Sequence, residues 1–362
     1  MKIGILTYHK SNNFGALLQA IALRSVLENA GHQATFIDYW PGYHRRMYDN
    51  FSFLYFLRKK GVKARFKYLK ECLIPYQYRK KRKENFDCFI HQYVEPYLSS
   101  MQESYDVVVH GSDQIWRKQP EMHIYNPVYF GKHSIQAQRK ISYAASMGIL
   151  PECEKDKNIV KEYLVSLDCI SVRESSLLDL VHSFGYEDAR LDLDPTLLLP
   201  SSFWVDTFHL SQEKEKYALY YCLQNSFDIA ELRKFVHSKG LKLKIIYSKA
   251  VGKDTDGQYT TSGPEDFLNL IYGADFVFTS SFHGLAFALI FQKPFYASYR
   301  KNSGRAASLL QSLGLSDRMI VPRTPIPEEQ IPINYGTVNS MMQEMRNSSL
   351  QNLECMLSCS SI

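Results

Sequence analysis

ADFVFTSSFHGLAFALIFQKPFY, Ala274 to Tyr296, is the stretch around which the chain is read. Asp275 to Thr279 is an apolar, β-branched and aromatic run, the pattern of a buried strand. Ser280 and Ser281 follow, residues that cap helices. Leu285 to Phe291 is an unbroken apolar run of helix formers, and Lys293-Pro294 stops it. The order is buried strand, tight turn, buried helix, next strand. A helix that opens at such a turn presents unpaired N–H groups and the positive end of its dipole, a site for an anion. His283 sits in that first turn as a proton donor near neutral pH. Gly284 lets a ligand approach the backbone. The competing reading is a capped core helix with an incidental histidine.

Working outward, the same alternation appears twice. Lys2 to Tyr8 reads as a strand, Asn12 to Gly15 as a turn, Ala16 to Ala30 as a helix ended by Gly31, and Ala34 to Asp38 as the next strand. This opens a parallel, doubly wound sheet. Tyr105 to His110 is a strong strand that runs into Gly111 to Trp116, and Lys140 to Ala145 another that ends at Ser146. Glu152 to Leu167 and Ser175 to Phe184 read as helices. Pro200 and Ser201 mark a linker, after which strands at Tyr217 to Leu223 and Leu241 to Tyr247 lead back to the central stretch. The expected architecture is α/β, with two Rossmann-like domains and a cleft between them. Residues 1–199 form the acceptor side, with a helical insert at 43–93. Residues 200–335 form the donor side, and 336–362 a closing helix. Ligands in such sheets lie at the carboxyl ends of the strands.

A chain of 362 residues exceeds the usual size of a single core. No apolar run approaches the roughly 18–20 residues that span a bilayer, and with Met1 leading straight into KIGILTY no signal peptide is expected. The seven cysteines form no Cys-x-x-Cys pair, which favours reduced, cytoplasmic thiols. No Gly-x-Gly-x-x-Gly is present, which disfavours NAD or FAD. Asp192-x-Asp194, at a turn into Pro195, and Asp254-x-Asp256, in a Gly-flanked loop, lack further ligands, so no metal is expected. Charge is concentrated. Tyr43 to Asp87 holds fourteen Lys/Arg against four acids, a net +10 in a chain of net +6. Helices are expected there at Phe51 to Arg58, Val62 to Leu73 and Tyr78 to Tyr93. No nucleic-acid motif accompanies the charge. Interleaved Tyr and Phe suit an anionic membrane surface, the alternative being an ordinary solvated face.

The order of these turns resembles the polysaccharide pyruvyl transferase family. The matching pieces are Asn13-Phe14-Gly15 with Leu18-Gln19-Ala20, Gly111-Ser112-Asp113-Gln114-Ile115-Trp116, and Tyr143-Ala144-Ala145-Ser146-Met147-Gly148. They continue with Ser171-Val172-Arg173-Glu174, Asp194-Pro195-Thr196, Thr279-Ser280-Ser281-Phe282-His283-Gly284, and Arg305 with Leu309-Leu310. The resemblance implies a fold similar to the glycosyltransferase-B type. It implies transfer of pyruvate from phosphoenolpyruvate to a sugar diol of a polysaccharide or lipid-linked glycan, giving a cyclic ketal and phosphate. No cofactor beyond that donor is implied. Some members carry Arg two residues before the His of the central motif; here the position is Ser281.

On this reading His283 is the acid and Asp113 takes the hydroxyl protons, the alternative for Asp113 being an Asx-turn or helix cap. Arg173 and Arg305 fork onto donor oxyanions; their alternatives are an ion pair with an acid such as Glu174 and a solvated first-turn Arg. Asn13, Gly15, Gly111, Ser112, Ser146, Ser280, Ser281 and Gly284 line the substrate. Trp116 stacks on a sugar face or is a core residue. Two competing functions are a glycosyltransferase using a nucleotide sugar and a non-catalytic glycan-binding protein.

Overall fold

The computed structural model describes residues 1–47, 61–66, 76–119, 122–212, 215–250, 253–255, 257–300, 304–327 and 331–358. In the first sheet, β1 (Lys2–Leu6), β2 (Gln33–Ile37), β3 (Leu98–Ser99), β4 (Ser104–Gly111) and β5 (Gln136–Tyr143) lie in the order β3-β2-β1-β4-β5. The short β6 (Ser171–Val172) and β7 (Arg190–Leu191) pair with each other, and bridges from Ile141 to Cys169 and from Ala145 to Val172 attach them to the β5 edge. The second sheet comprises β8 (Tyr217–Cys222), β9 (Lys242–Tyr247), β10 (Gln258–Tyr259), β11 (Phe276–Thr279) and β12 (Phe295–Ala297), and repeats the pattern as β10-β9-β8-β11-β12. Every ladder in both sheets is parallel. These are two Rossmann-like halves. The strand order reverses between β1 and β4 and again between β8 and β11, where a crevice opens at the strand ends.

The helices that follow β1 and β11 are buried nearly all round. Phe14 to Leu27 is buried throughout the helix Phe14–Asn29, as are all nine residues of Phe282–Ile290. A helix apolar on every face belongs inside a core. One apolar cluster runs through both halves, with Phe14 stacked on Phe267 of the second half at 4.8 Å between centroids. The chain does not relax into a loop at Pro200. Asp194 caps a helical turn, Pro195–Leu198, and the helix Ser201–Phe208 begins at once, burying Trp204 and Phe208.

The basic segment is helical where expected among its described residues, but one of its cations is not at the surface. Residues 62–66 are helical, whereas 51–58 and 67–73 lie outside the described residues. The helix Tyr76–Tyr93 straps the first half to the second. Arg82 is buried, not solvated or at a lipid face. Its guanidinium donates to the carbonyl oxygens of Thr260 (3.2 Å), Ser262 (3.1 Å) and Ser248 (3.2 Å) and lies 4.6 Å from the centre of the Phe14 ring. Asn85 donates to Thr261 O at 2.8 Å, and the Tyr93 hydroxyl to Glu265 at 2.9 Å. The closing helix, Tyr335–Ser358, packs back on the first half. Leu193 N donates to Ser349 Oγ at 3.0 Å and Arg346 Nε to Leu197 O at 3.0 Å.

Candidate active site

A cavity of about 250 Å³ lies where the carboxyl ends of the two sheets face each other. The loop after β1 contributes Ser11 and Asn13, that after β4 Asp113 and Arg117, that after β8 Gln224, and that after β11 Ser281, Phe282 and His283; Arg305 closes one side. All four loops belong to the two reversal points, so topology alone gathers them.

His283 stands in the first turn of Phe282–Ile290. Ser281 holds the N-cap position in extended backbone (φ −125°, ψ 139°), but its side chain makes no capping bond. Its N–H instead donates to Thr279 Oγ1 at 3.0 Å. The helix start therefore opens on the cavity with its positive end uncapped. The His283 ring bridges the halves. Nε2 is 3.5 Å from Asp194 Oδ2, and the other side of the ring rests on Gly15. A Cβ at position 15 would fall 1.9 Å from Nδ1, so only glycine admits the ring.

Asp194 is the hub of the charges. One oxygen accepts from Thr196 N (3.0 Å) and Thr196 Oγ1 (2.7 Å); the other pairs with Arg173 and faces His283. Burial opposes its ionisation, but the Arg173 guanidinium and then His283 outweigh burial and hold the carboxyl well below the usual carboxylate range. Burial likewise works against the Arg173 charge, and Asp194, Asp113 and Glu174 more than offset it. Arg305 is pulled down, first by burial and then by the like charge of Arg173. Arg305 Nη1 is 4.0 Å from Asp113 and its Nε 3.7 Å from Glu174. Asp113, in left-handed backbone at φ 57°, is also 3.6 Å from Arg173. The Phe282 ring carries both guanidinium groups, at 5.0 and 5.4 Å from its centre.

Of the residues expected to line the substrate, Asn13, Asp113, Ser280, Ser281, His283 and Arg305 border this cavity, and Gly15 supports it from beneath His283. Ser280 also serves the framework, its Oγ accepting from the N–H groups of Leu223 and Gln224, both at 2.9 Å. Others serve only the framework. Gly284 makes room for a strand, since a Cβ there would fall 2.1 Å from Thr279 Oγ1. Gly111 does the same against the Tyr143 carbonyl. Ser112 is buried, its N–H bonded to Gln19 Oε1 at 3.2 Å, and Ser146 bonds to Glu174. Trp116 is fully buried, donates to Tyr129 O at 2.8 Å and stacks on Phe130, so it offers no face to a sugar. Arg173, with its side chain only 2% exposed, lines a neighbouring cavity of about 340 Å³ with Arg305 and Phe282, and pairs with Asp194, not Glu174. Two residues went unassigned in the sequence: Asp194, read only as a turn, and Arg117, which directly follows Trp116.

Two Rossmann-like halves meeting at a polar, charge-rich cavity define an α/β protein of two domains. The profile of the polysaccharide pyruvyl transferase family matches residues 13–302, and the chain belongs to that family. No curated protein matches it. Among solved structures it is similar to the UDP-GlcNAc 2-epimerase of Methanocaldococcus jannaschii (TM-score 0.44, 10% identity, covering 100% of this chain and 94% of that one). It is also similar to the E. coli heptosyltransferase WaaC solved with ADP (TM-score 0.41, 12% identity, 95% and 100%). A third is the glycosyltransferase SnogD from Streptomyces nogalater (TM-score 0.40, 11% identity, 98% and 99%).

Proposed function

We propose that this chain transfers pyruvate from phosphoenolpyruvate to a vicinal or 1,3-diol of a glycan, forming a cyclic ketal and releasing phosphate. The observation that carries the reading is the His283 ring, held at an uncapped helix start between Gly15 and Asp194 with Arg305 beside it. An acid beside an oxyanion site suits an enol phosphate. His283 delivers a proton to the methylene carbon, which becomes a methyl group, and C2 becomes oxocarbenium-like. One acceptor hydroxyl bonds to C2 and gives its proton to Asp113. The second hydroxyl bonds to C2 as the C2–O bond to phosphate breaks, and its proton leaves with the phosphate. Arg305 and the helix dipole balance the donor charge. Arg173 acts through Asp194 and Phe282 and is a positioning residue.

The test is turnover and binding together. Wild-type protein should bind phosphoenolpyruvate and release phosphate only when a glycan acceptor is present. His283→Ala should lower the rate by about 10²–10⁴-fold, the usual worth of general acid catalysis, while binding changes little. Unchanged turnover without the imidazole would remove His283 from the reaction. Release of a nucleotide from a sugar nucleotide would replace the donor, and binding without any turnover would leave a glycan-binding protein.

The acceptor on this reading is lipid-linked, met by a cytoplasmic protein that docks peripherally on the inner membrane face. No described helix is long and apolar enough to cross a membrane. The support is the +10 segment and its exposed Phe66 and Tyr76. Arg82 is spent on the strap, and Lys80 and Lys83 pair with Glu84 and Asp87 at 3.8 and 2.5 Å. Flotation with anionic liposomes should weaken with added salt, and charge reversal at Lys80, Lys81 and Lys83 should weaken it further at low salt. Absence of any association at low salt would leave a soluble acceptor.

A further inference from the structure

The cations at the cavity are not equivalent. Arg305 stands 4.0 Å from Asp113 and 3.7 Å from Glu174. Arg173, next door, is paired with Asp194 and 3.6 Å from Asp113. Arg117 lines the cavity on the first half, across from the start of Phe282–Ile290, and among the described residues no carboxylate lies within ion-pair distance of its guanidinium.

Its position is fixed by its neighbours. Trp116 is locked in the core through Nε1 to Tyr129 O at 2.8 Å, and its N–H donates to Ser146 O at 3.1 Å. Arg117 N donates to Gln114 O at 3.2 Å, closing the turn. With residue 116 pinned inward, the next side chain is delivered to the cavity wall. There it is half-buried and borders both this cavity and a second one of about 380 Å³ on the first half, shared through Gln114 and Arg117. The two cavities it borders also carry Asp113, Glu152 and Asp156, but none of these forms an ion pair with it. The Arg117 charge reaches His44, whose pKa falls to about 4 through burial first and Arg117 second. A half-buried guanidinium without a counter-ion is stabilised by an anion that arrives with the ligand.

We propose that Arg117 is a donor-anchoring residue, forking onto an oxyanion held between it and the opening of the helix Phe282–Ile290. This rests on the reading of the cavity as the phosphoenolpyruvate site and adds a specificity residue to it. Arg117 holds the ligand and moves no proton. Its removal therefore raises KM more than it lowers kcat.

The experiment compares wild type, Arg117→Gln and Arg117→Lys by calorimetry with two probes, phosphoenolpyruvate and inorganic phosphate, at two salt concentrations. Circular dichroism and the melting temperature establish that each variant is folded. The expected result is phosphoenolpyruvate binding at least tenfold weaker in Arg117→Gln, with a shallower salt dependence and partial recovery in Arg117→Lys. If phosphoenolpyruvate binds wild type and Arg117→Gln equally, the role of Arg117 is overturned and the donor reading stands. If wild type ignores phosphoenolpyruvate but binds phosphate in an Arg117-dependent way, the donor reading falls and the anion anchor stands. If neither anion binds wild type, both fall.

Discussion

The two halves share a strand order and divide the chemistry unequally. The second half delivers His283, the proposed acid, on one continuous stretch, β11 followed directly by Phe282–Ile290, all of it buried. The first half delivers Asp113, Glu174 and Asp194 from three separate loops, and every carboxylate at the site comes from it. Charges on separate loops must be held against one another, so the first half stores its site in a buried ion network. The second half stores its own in packing. Loss of a carboxylate from the network should accordingly cost fold and function together, and loss of the His283 imidazole function alone.

The largest effect expected is that of Asp194→Ala. It leaves the buried Arg173 without its main counter-charge, and breaking one side of a buried pair costs about 3–5 kcal/mol. Urea denaturation should show this, and the double change Asp194→Ala with Arg173→Met should cost less than Asp194→Ala alone. His283→Ala, touching the same carboxylate from the other half, should leave the midpoint nearly where it was. Equal destabilisation by Asp194→Ala and His283→Ala would erase the contrast between network and packing.

A sharper comparison uses two glycines, one serving each half. Gly15→Ala would push a Cβ to 1.9 Å from His283 Nδ1, and Gly284→Ala to 2.1 Å from Thr279 Oγ1. Overpacking of this kind costs about 1–3 kcal/mol. The consequences should differ in kind. Gly15→Ala turns the imidazole away from Asp194 and lowers kcat well beyond its effect on stability. Gly284→Ala loosens the helix from its strand, and adding Thr279→Ala should restore stability by removing the obstructing oxygen. Rates that fall equally in both variants, or no rescue by Thr279→Ala, would show that the ring position is not what Gly15 protects.

The same division explains what was legible in the sequence. The parallel α/β order, both reversal-point loops and the central histidine were readable, because strand-turn-helix patterns are local and His283 lies inside one. Asp194 was quoted within a turn but not given its role, since its partners Arg173 and His283 are distant in sequence. Arg117 was passed over because it follows a motif instead of sitting in it. Arg82 was counted with the surface charge of Tyr43 to Asp87. A signal was present: Arg82 leads a stripe of Phe86, Phe89, Ile90 and Tyr93 at helical spacing, the buried face of the strap. Composition averages over a helix, whereas periodicity separates its faces. Trp116, Gly111, Gly284 and Ser280 show the converse: small and aromatic residues beside a site are often what holds it in place.

The smallest effect is one of pH, and it again separates the halves. Four histidines of the first half are lowered by burial, His32 slightly and three others strongly. His44 is lowered to about 4 by burial and then by Arg117. His133 is lowered to about 4 by burial and then by Lys140, and His110 to about 3 by burial and then by His133. His110 Nδ1–H donates to Ile141 O at 3.0 Å, which leaves its Nε2 to accept from His133 Nε2 at 2.9 Å; a proton on both rings would set N–H against N–H. In the unfolded chain these rings titrate near about 6.5. Between that value and the folded values, the unfolded state takes up protons that the folded state refuses. Stability then rises with pH, being complete above about 6.5 and lost progressively as pH falls toward 4. The Asp194 pair does not contribute in this window, because a carboxyl held below its ordinary range loses its stabilisation only at lower pH. Among the described residues of the second half no histidine is shifted in this way. Hydrogen exchange followed at pH 7 and pH 5, corrected for intrinsic rates, should therefore show β4, β5 and the helix Gly42–Met47 losing protection before β8 and β11. His133→Gln keeps a donor for His110 and removes one titrating ring, so it should flatten the pH dependence of the first half alone. Parallel loss of protection in both halves would mean that acid acts on the shared core and not on these rings.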